Sequence, residues 1–218
     1  MNCGGNLRGG PIDEPSDIWS VTFVIVAASI AWGSDITLSH VGINPTRIGV
    51  INILRLMGGD ITLLNERLAG GEPVADIRVR SAALKGIAIP EDQVPLAIDE
   101  FPALFVAAAC AEGKTILTGA EELRVKESDR IQAMADGLTI LGISAEPTAD
   151  GIVIEGGQLQ SGEVDSLGDH RIAMSFAIAG LRAGGPILIR HCNNVATSFP
   201  GFVALANTLG LKVSEENQ

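Results

Sequence analysis

Lys126, Glu127 and Arg130 sit within four residues of one another in the stretch "LRVKESDRI", Leu123 to Ile131, with Arg124, Ser128 and Asp129 beside them. The chain as a whole is only 19% charged, so this density stands out. Downstream, Ile131, Met134, Leu138 and Leu141 recur at helical spacing and define a buried face. The charged run therefore opens a helix. Helix starts favour acids because the macrodipole is positive there. Lys126 and Arg130 are cations at that end, which suits a bound anion.

Two readings of this run stay open. Glu127 and Arg130 are three apart, and on a helix surface such a pair adds a few tenths of a kcal/mol. The spacing by itself favours that ordinary ion pair. The sharper reading makes Arg130 a bidentate clamp on a carboxylate or phosphate, with Glu127 exchanging a proton. A related pattern stands in "GDHRIAMSF", where Asp169 reads as an N-cap and His170 and Arg171 follow at a helix start. In "AIDEFPAL", Asp99 and Glu100 precede an apolar helix, and the local pattern reads Asp99 as a capping carboxylate.

Composition limits the partners. Hydrophobic residues make up 46% of the chain, with ten prolines and twenty-six glycines, as in a compact globular protein. Aromatic residues are 4% and Tyr is absent, which disfavours stacking on single-stranded nucleic acid. A net charge of -11 disfavours a phosphate-backbone binder. A few local cations can still hold a small anion. Cys3, Cys110 and Cys192 are scattered, and neither CxxC nor clustered His suggests a metal. Cys110 lies in an apolar run and reads as core packing. The apolar run Val21 to Trp32 is too short to span a bilayer and follows an acidic segment, unlike a signal peptide. No membrane association is expected, and a reducing cytoplasm fits.

The elements that must position these residues repeat three times. Asp17, Asp99 and Asp169 each precede an apolar, Ala-rich helix that runs to a glycine stop at Gly33, Gly113 or Gly184. Strand patterns "DITLSHV", "KTILTG" and "PILIRH" follow. Second helices come next, in "NPTRIGVINILRLMGG", "ESDRIQAMADGLTILG" and "ATSFPGFVALANTLG", stopping at Gly58, Gly142 and Gly210. Strands "DITLL", "ISAEP" and "LKVSE" then follow. Two units continue with paired strands, "ADIRVRSAALKGIAIPED" and "DGIVIEGGQLQSGEVDS". The third lacks them, and "NLRGGPIDEPSD" reads as the missing strand displaced to the front. The chain is thus an α/β (α+β) protein of three units of roughly 70–80 residues. Their helix N-termini, if threefold-related, create a positive field at one end.

"EELRVKESDRI", "GDHRIAMSF", "AIDEFPAL", "NPTRIGV" and "NVATSFPGF" together resemble the C-terminal half of the 5-enolpyruvylshikimate-3-phosphate synthase family (3-phosphoshikimate 1-carboxyvinyltransferases), the class II bacterial type in particular. The resemblance runs from about Pro11 to Val213. It implies one domain over residues 1–218, built of three βαβαββ units around a pseudo-threefold axis, an inverse α/β barrel. It implies transfer of the enolpyruvyl group of phosphoenolpyruvate to the 5-hydroxyl of shikimate 3-phosphate, in aromatic amino-acid biosynthesis, with no cofactor and no metal. Carried over by motif, Asp99 is the base at the 5-hydroxyl. Lys126 lies between the substrates, and Glu127 moves the proton at the methylene carbon. Arg130 and Arg171 bind phosphoenolpyruvate, with His170 beside them.

The sequence departs from the family pattern at three places. Glu122 stands where many members have an Asn that contacts the shikimate phosphate. Thr197 precedes "SFP" where some members carry Lys, and "PSDIWSVTF" has Ser16 and Ile18-Trp19 in place of the usual "PGDxSSAAF". The family's N-terminal "GDKS" motif is absent. The expectation is therefore a half-site, inactive alone and needing a complementary N-terminal domain. A non-catalytic anion-binding domain is the alternative. A relative of UDP-N-acetylglucosamine enolpyruvyl transferase, which shares the fold, fits the motifs less well.

Overall fold

A computed structural model describes residues 18–214. Three helices form its interior: α1 (Ile18–Ile30), α3 (Phe101–Ala109) and α5 (His170–Ala179). A helix that is apolar on every side belongs inside a protein, and all nine residues of α3 are buried. The same burial in α1 encloses Thr22 and Ser29. Their hydroxyls donate to the carbonyls of Ile18 at 2.9 Å and Ile25 at 2.8 Å, so neither is left unsatisfied. The three helices pack against one another in every pairing.

Sheets cover this interior. Strands β1 (Asp35–Gly42), β2 (Asp60–Ala69) and β3 (Glu72–Arg80) form an antiparallel sheet in the order β1-β3-β2. The next unit repeats it as β4 (Lys114–Leu117), β5 (Ser144–Pro147) and β6 (Ile152–Glu155), in the order β4-β6-β5. The third unit pairs β7 (Gly162–Asp165) with β8 (Ile187–Arg190), in parallel. The first two units each pass their last extended segment to the following one. Lys85 bridges in parallel to Glu112, just before β4, and Ala88 to Ile116 within it, as β7 pairs with β8. That handover links the three units in series, and the buried apolar side chains form one continuous cluster. Cys110 packs against it, and burial pushes its thiol up to about 11.

The second helices are α2 (Gly49–Leu56), α4 (Arg130–Ile140), and the pair α6 (Asn194–Ser198) and α7 (Phe202–Thr208). Four expectations need correcting. "NPTR" is a turn in which Asn44 Oδ1 accepts from the Thr46 amide and hydroxyl, and α2 begins only at Gly49. The last helix breaks in two around Pro200, which has no N–H to donate. Residues 211–214 of "LKVSE" are not in a strand. The proposed front strand and the Asp17 cap lie outside the described residues. Gly58 and Gly142 do close α2 and α4, at φ 91° and 84°. Gly184 does not end α5, which stops at Ala179 with Gly180 as its C-cap. No helix among the described residues is long and apolar enough to cross a membrane.

Candidate active site

Three helix starts meet at Arg130. It is the first residue of α4, and Asp129 caps that helix by accepting from the Gln132 amide at 3.0 Å. The Glu127–Arg130 ion pair favoured by spacing does form, but the arginine side chain is 1% exposed, so it is not a surface pair. The guanidinium instead reaches three carboxylates from three segments. Nε donates to Asp169 Oδ2 at 2.8 Å, Nη1 to Asp99 Oδ1 at 3.0 Å, and Nη2 to Glu127. Burying a charge without such partners costs several kcal/mol.

Asp169 caps α5 and anchors Arg130 at once. Its Oδ1 accepts from the Arg171 amide at 2.9 Å, while Oδ2 takes Arg130 and the Ser128 hydroxyl. Asp99 is not a cap. It lies in a 3-10 turn, Ile98–Glu100, just before α3, and the N-cap position falls to Glu100, whose side chain makes no capping bond. The turn frees the Asp99 carboxylate to face the cations. Lys126 Nζ lies 3.4 Å from Asp99 Oδ1, and Arg171 Nη1 donates to the Asp99 carbonyl at 3.0 Å.

Lys126 and Glu127 precede α4, so Glu127 meets Arg130 through the turn and not along a helix face, while Lys126 shares Asp99 with it. A 3-10 turn, Glu121–Val125, delivers them, and Lys126 leaves it in an extended conformation. Arg124 fixes the turn by donating to Asp129 and to the carbonyls of Thr148 and Ala149. Glu122 pairs with Lys126 on the solvent side.

The charges tune one another. Burial pushes the Asp99 carboxyl up, but Arg171, Lys126 and Arg130 together hold it below its ordinary 3.8. The hydrogen bond that Lys126 donates to Glu122, with Asp99 adding to it, raises Lys126 above 10.5 and keeps it an ammonium. Burial lowers the His170 imidazole below 6.5, and Arg171 lowers it further. All six residues singled out from the sequence thus belong to one constellation of carboxylates, cations and an imidazole. Such a set can hold a polyanion and move a proton beside it. Among the described residues no group of three or more His, Cys, Asp or Glu is placed to hold a metal ion.

Residues 4–205 match the family described as EPSP synthase (3-phosphoshikimate 1-carboxyvinyltransferase). The chain belongs to this family. It is 68% identical over 213 residues to a 3-phosphoshikimate 1-carboxyvinyltransferase of Methylococcus capsulatus, covering 98% of this chain and 49% of that protein. A counterpart from Nitrosococcus oceani is 66% identical, over 96% of this chain and 47% of its own length. A solved EPSP synthase from Acinetobacter baumannii superimposes with a TM-score of 0.93 at 62% identity, covering 97% of this chain and 50% of that one. The chain spans about half the length of the curated relatives it matches.

Within this EPSP synthase half, sequence reasoning missed three contributors. Asp169 reads locally as a cap, and nothing nearby signals that its second oxygen holds Arg130. Ser128 supports the same oxygen. Glu122 stands out in the sequence only as a departure from the family pattern, yet it occupies Lys126. Glu122 and Lys126 are four apart, but they pair across a 3-10 turn, so the helix-face rule gave no sound signal for them.

Proposed function

We propose that this chain is a single domain supplying the phosphoenolpyruvate side of a site that moves the enolpyruvyl group to the 5-hydroxyl of shikimate 3-phosphate. A complementary N-terminal half supplies the rest. The observation that carries this is the buried Arg130, held by Asp169 and shared with Asp99 and Glu127 at converging helix starts. Arg130, Arg171 and Lys126 neutralise the carboxylate and phosphate groups of the two substrates, with His170 beside them. In the addition step, Asp99 takes the proton of the 5-hydroxyl as its oxygen bonds to C2 of phosphoenolpyruvate. Glu127 delivers a proton to C3, the methylene carbon. In the elimination step, Glu127 removes a proton from the new methyl group, the C2–C3 double bond re-forms, and phosphate departs. Both steps need acids, bases and fixed cations, and no cofactor enters them. Free thiols at Cys110 and Cys192 go with a reducing, cytoplasmic setting.

The test is phosphate release from phosphoenolpyruvate and shikimate 3-phosphate, by the chain alone and mixed with a separately expressed N-terminal half of a relative. Turnover only in the mixture is expected, because closure of two halves completes such a site. Release by the chain alone would remove the half-site reading. Silence of the mixture, with phosphoenolpyruvate binding retained, would leave an anion-binding domain.

A further inference from the structure

Lys126 projects its ammonium between two carboxylates of unequal standing. Asp99 Oδ1, 3.4 Å away, is also held by Arg130, and the Asp99 side chain is 27% exposed. Glu122 Oε1, 2.5 Å away, belongs to a side chain that is 61% exposed and whose hydrogen-bonded partner among the described residues is Lys126. Glu122 also lines an open groove of about 530 Å³ with Ile98, Glu121 and Val125. Asp99 is anchored. Glu122 can leave into water.

We infer that Glu122 is a displaceable counter-carboxylate: it occupies the Lys126 ammonium until an anionic ligand takes its place, and so sets the affinity of the site for phosphate groups. The inference rests on the reading of Lys126 as an anion-binding cation given above. The backbone supports it. Lys126 leaves the 3-10 turn in an extended conformation, so the pair is not the routine product of a helix face. The electrostatics agree, since Glu122 is the largest influence raising Lys126. An ammonium has three donors. Two are spent on carboxylates; a phosphate that engages the ammonium brings a further negative charge against both, and the one released is the exposed Glu122, because an exposed ion pair is weak. A ligand without a strong negative charge gains nothing by that exchange, so Glu122 filters ligands by charge. It acts through Lys126 and is a positioning residue.

The experiment titrates inorganic phosphate and phosphoenolpyruvate into the full chain by calorimetry, comparing wild type, E122Q, R130A and K126M. The E122Q change lies on an exposed side chain and keeps its length, and circular dichroism checks its fold. E122Q should bind both anions roughly two- to fivefold more tightly, the worth of one exposed ion pair. In a K126M background the same change should give no gain, because the effect runs through the ammonium. A purely structural role for Glu122 would not tighten binding. Unchanged or weaker binding by E122Q, with R130A losing binding, would overturn the placeholder role and leave the site reading standing. An equal gain in the K126M background would also overturn it. Absence of phosphoenolpyruvate binding by both wild type and E122Q at millimolar ligand would overturn both readings.

Discussion

Arg130 Nε donates to Asp169 Oδ2 at 2.8 Å, with the two side chains 1% and 0% exposed. This bond ties the first residue of α4 to the cap of α5, and Asp99 joins it from the segment before α3. Removing one member of a buried pair leaves an uncompensated charge, which costs more than the pair contributes. Arg130→Ala should therefore lower stability by about 3–5 kcal/mol at neutral pH, read as a shift in the urea midpoint. Asp169→Asn should cost less, about 1–3 kcal/mol, since Arg130 keeps Asp99 and Glu127 and Asn still caps the helix. Equal costs for the two would mean that Asp169 alone satisfies the arginine.

Asp99 gives the fold an acid limb of defined sign. Its folded carboxyl lies below the unfolded 3.8 because the three cations outweigh burial. A depressed acid contributes stability that is complete above its unfolded value and is lost as pH falls through the folded one. Wild type and Asp99→Asn should thus differ by a constant amount between about pH 7 and 5, and the gap should close below about pH 4. Urea midpoints across that range check it. A gap that closed near neutrality would assign the effect to another group.

Much of the frame was legible because its causes are local. Ile131, Met134, Leu138 and Leu141 mark the buried face of α4, and all four are buried. Asp169 caps its helix as the pattern says. The site was legible as a set of residues but not as a geometry. Arg130 looked like a surface residue because its partners Asp99 and Asp169 are 31 and 39 positions away. Asp99 looked like a cap because a carboxylate before an apolar helix usually is one. The 3-10 turn that frees it depends on packing against other units. The five motifs together suggested the roles proposed above, which no local rule could.

The crossing of α4 and α5 is set by a glycine. A Cβ at Gly137 would lie 2.2 Å from Cζ of Phe176, a ring with no solvent exposure. Alanine gains up to about 1 kcal/mol in helix propensity over glycine, but overpacking a tight core costs about 1–3 kcal/mol. Gly137→Ala should therefore be destabilising, by about 1–2 kcal/mol. Adding Phe176→Leu should recover part of the loss by clearing the contact. Thermal melts of the single and double variants measure it. A stabilised Gly137→Ala would show that the two helices can part without cost.

His170 reports on the occupied site. Burial lowers its imidazole first, and Arg171 and Arg130 lower it further against the opposing pull of Asp169 and Glu127. The folded chain thus favours the neutral ring. Stability is lost as pH falls below the unfolded value of 6.5, until the folded ring also takes its proton. His170→Gln should remove that loss. In a proton-detected titration the wild-type midpoint should lie below 6.5. Saturating phosphate should then move it upward, because an anion on Arg171 and Arg130 offsets the charges that repel the imidazolium. A midpoint unmoved by phosphate would place the bound anion away from these two arginines, and with it the chemistry assigned to them.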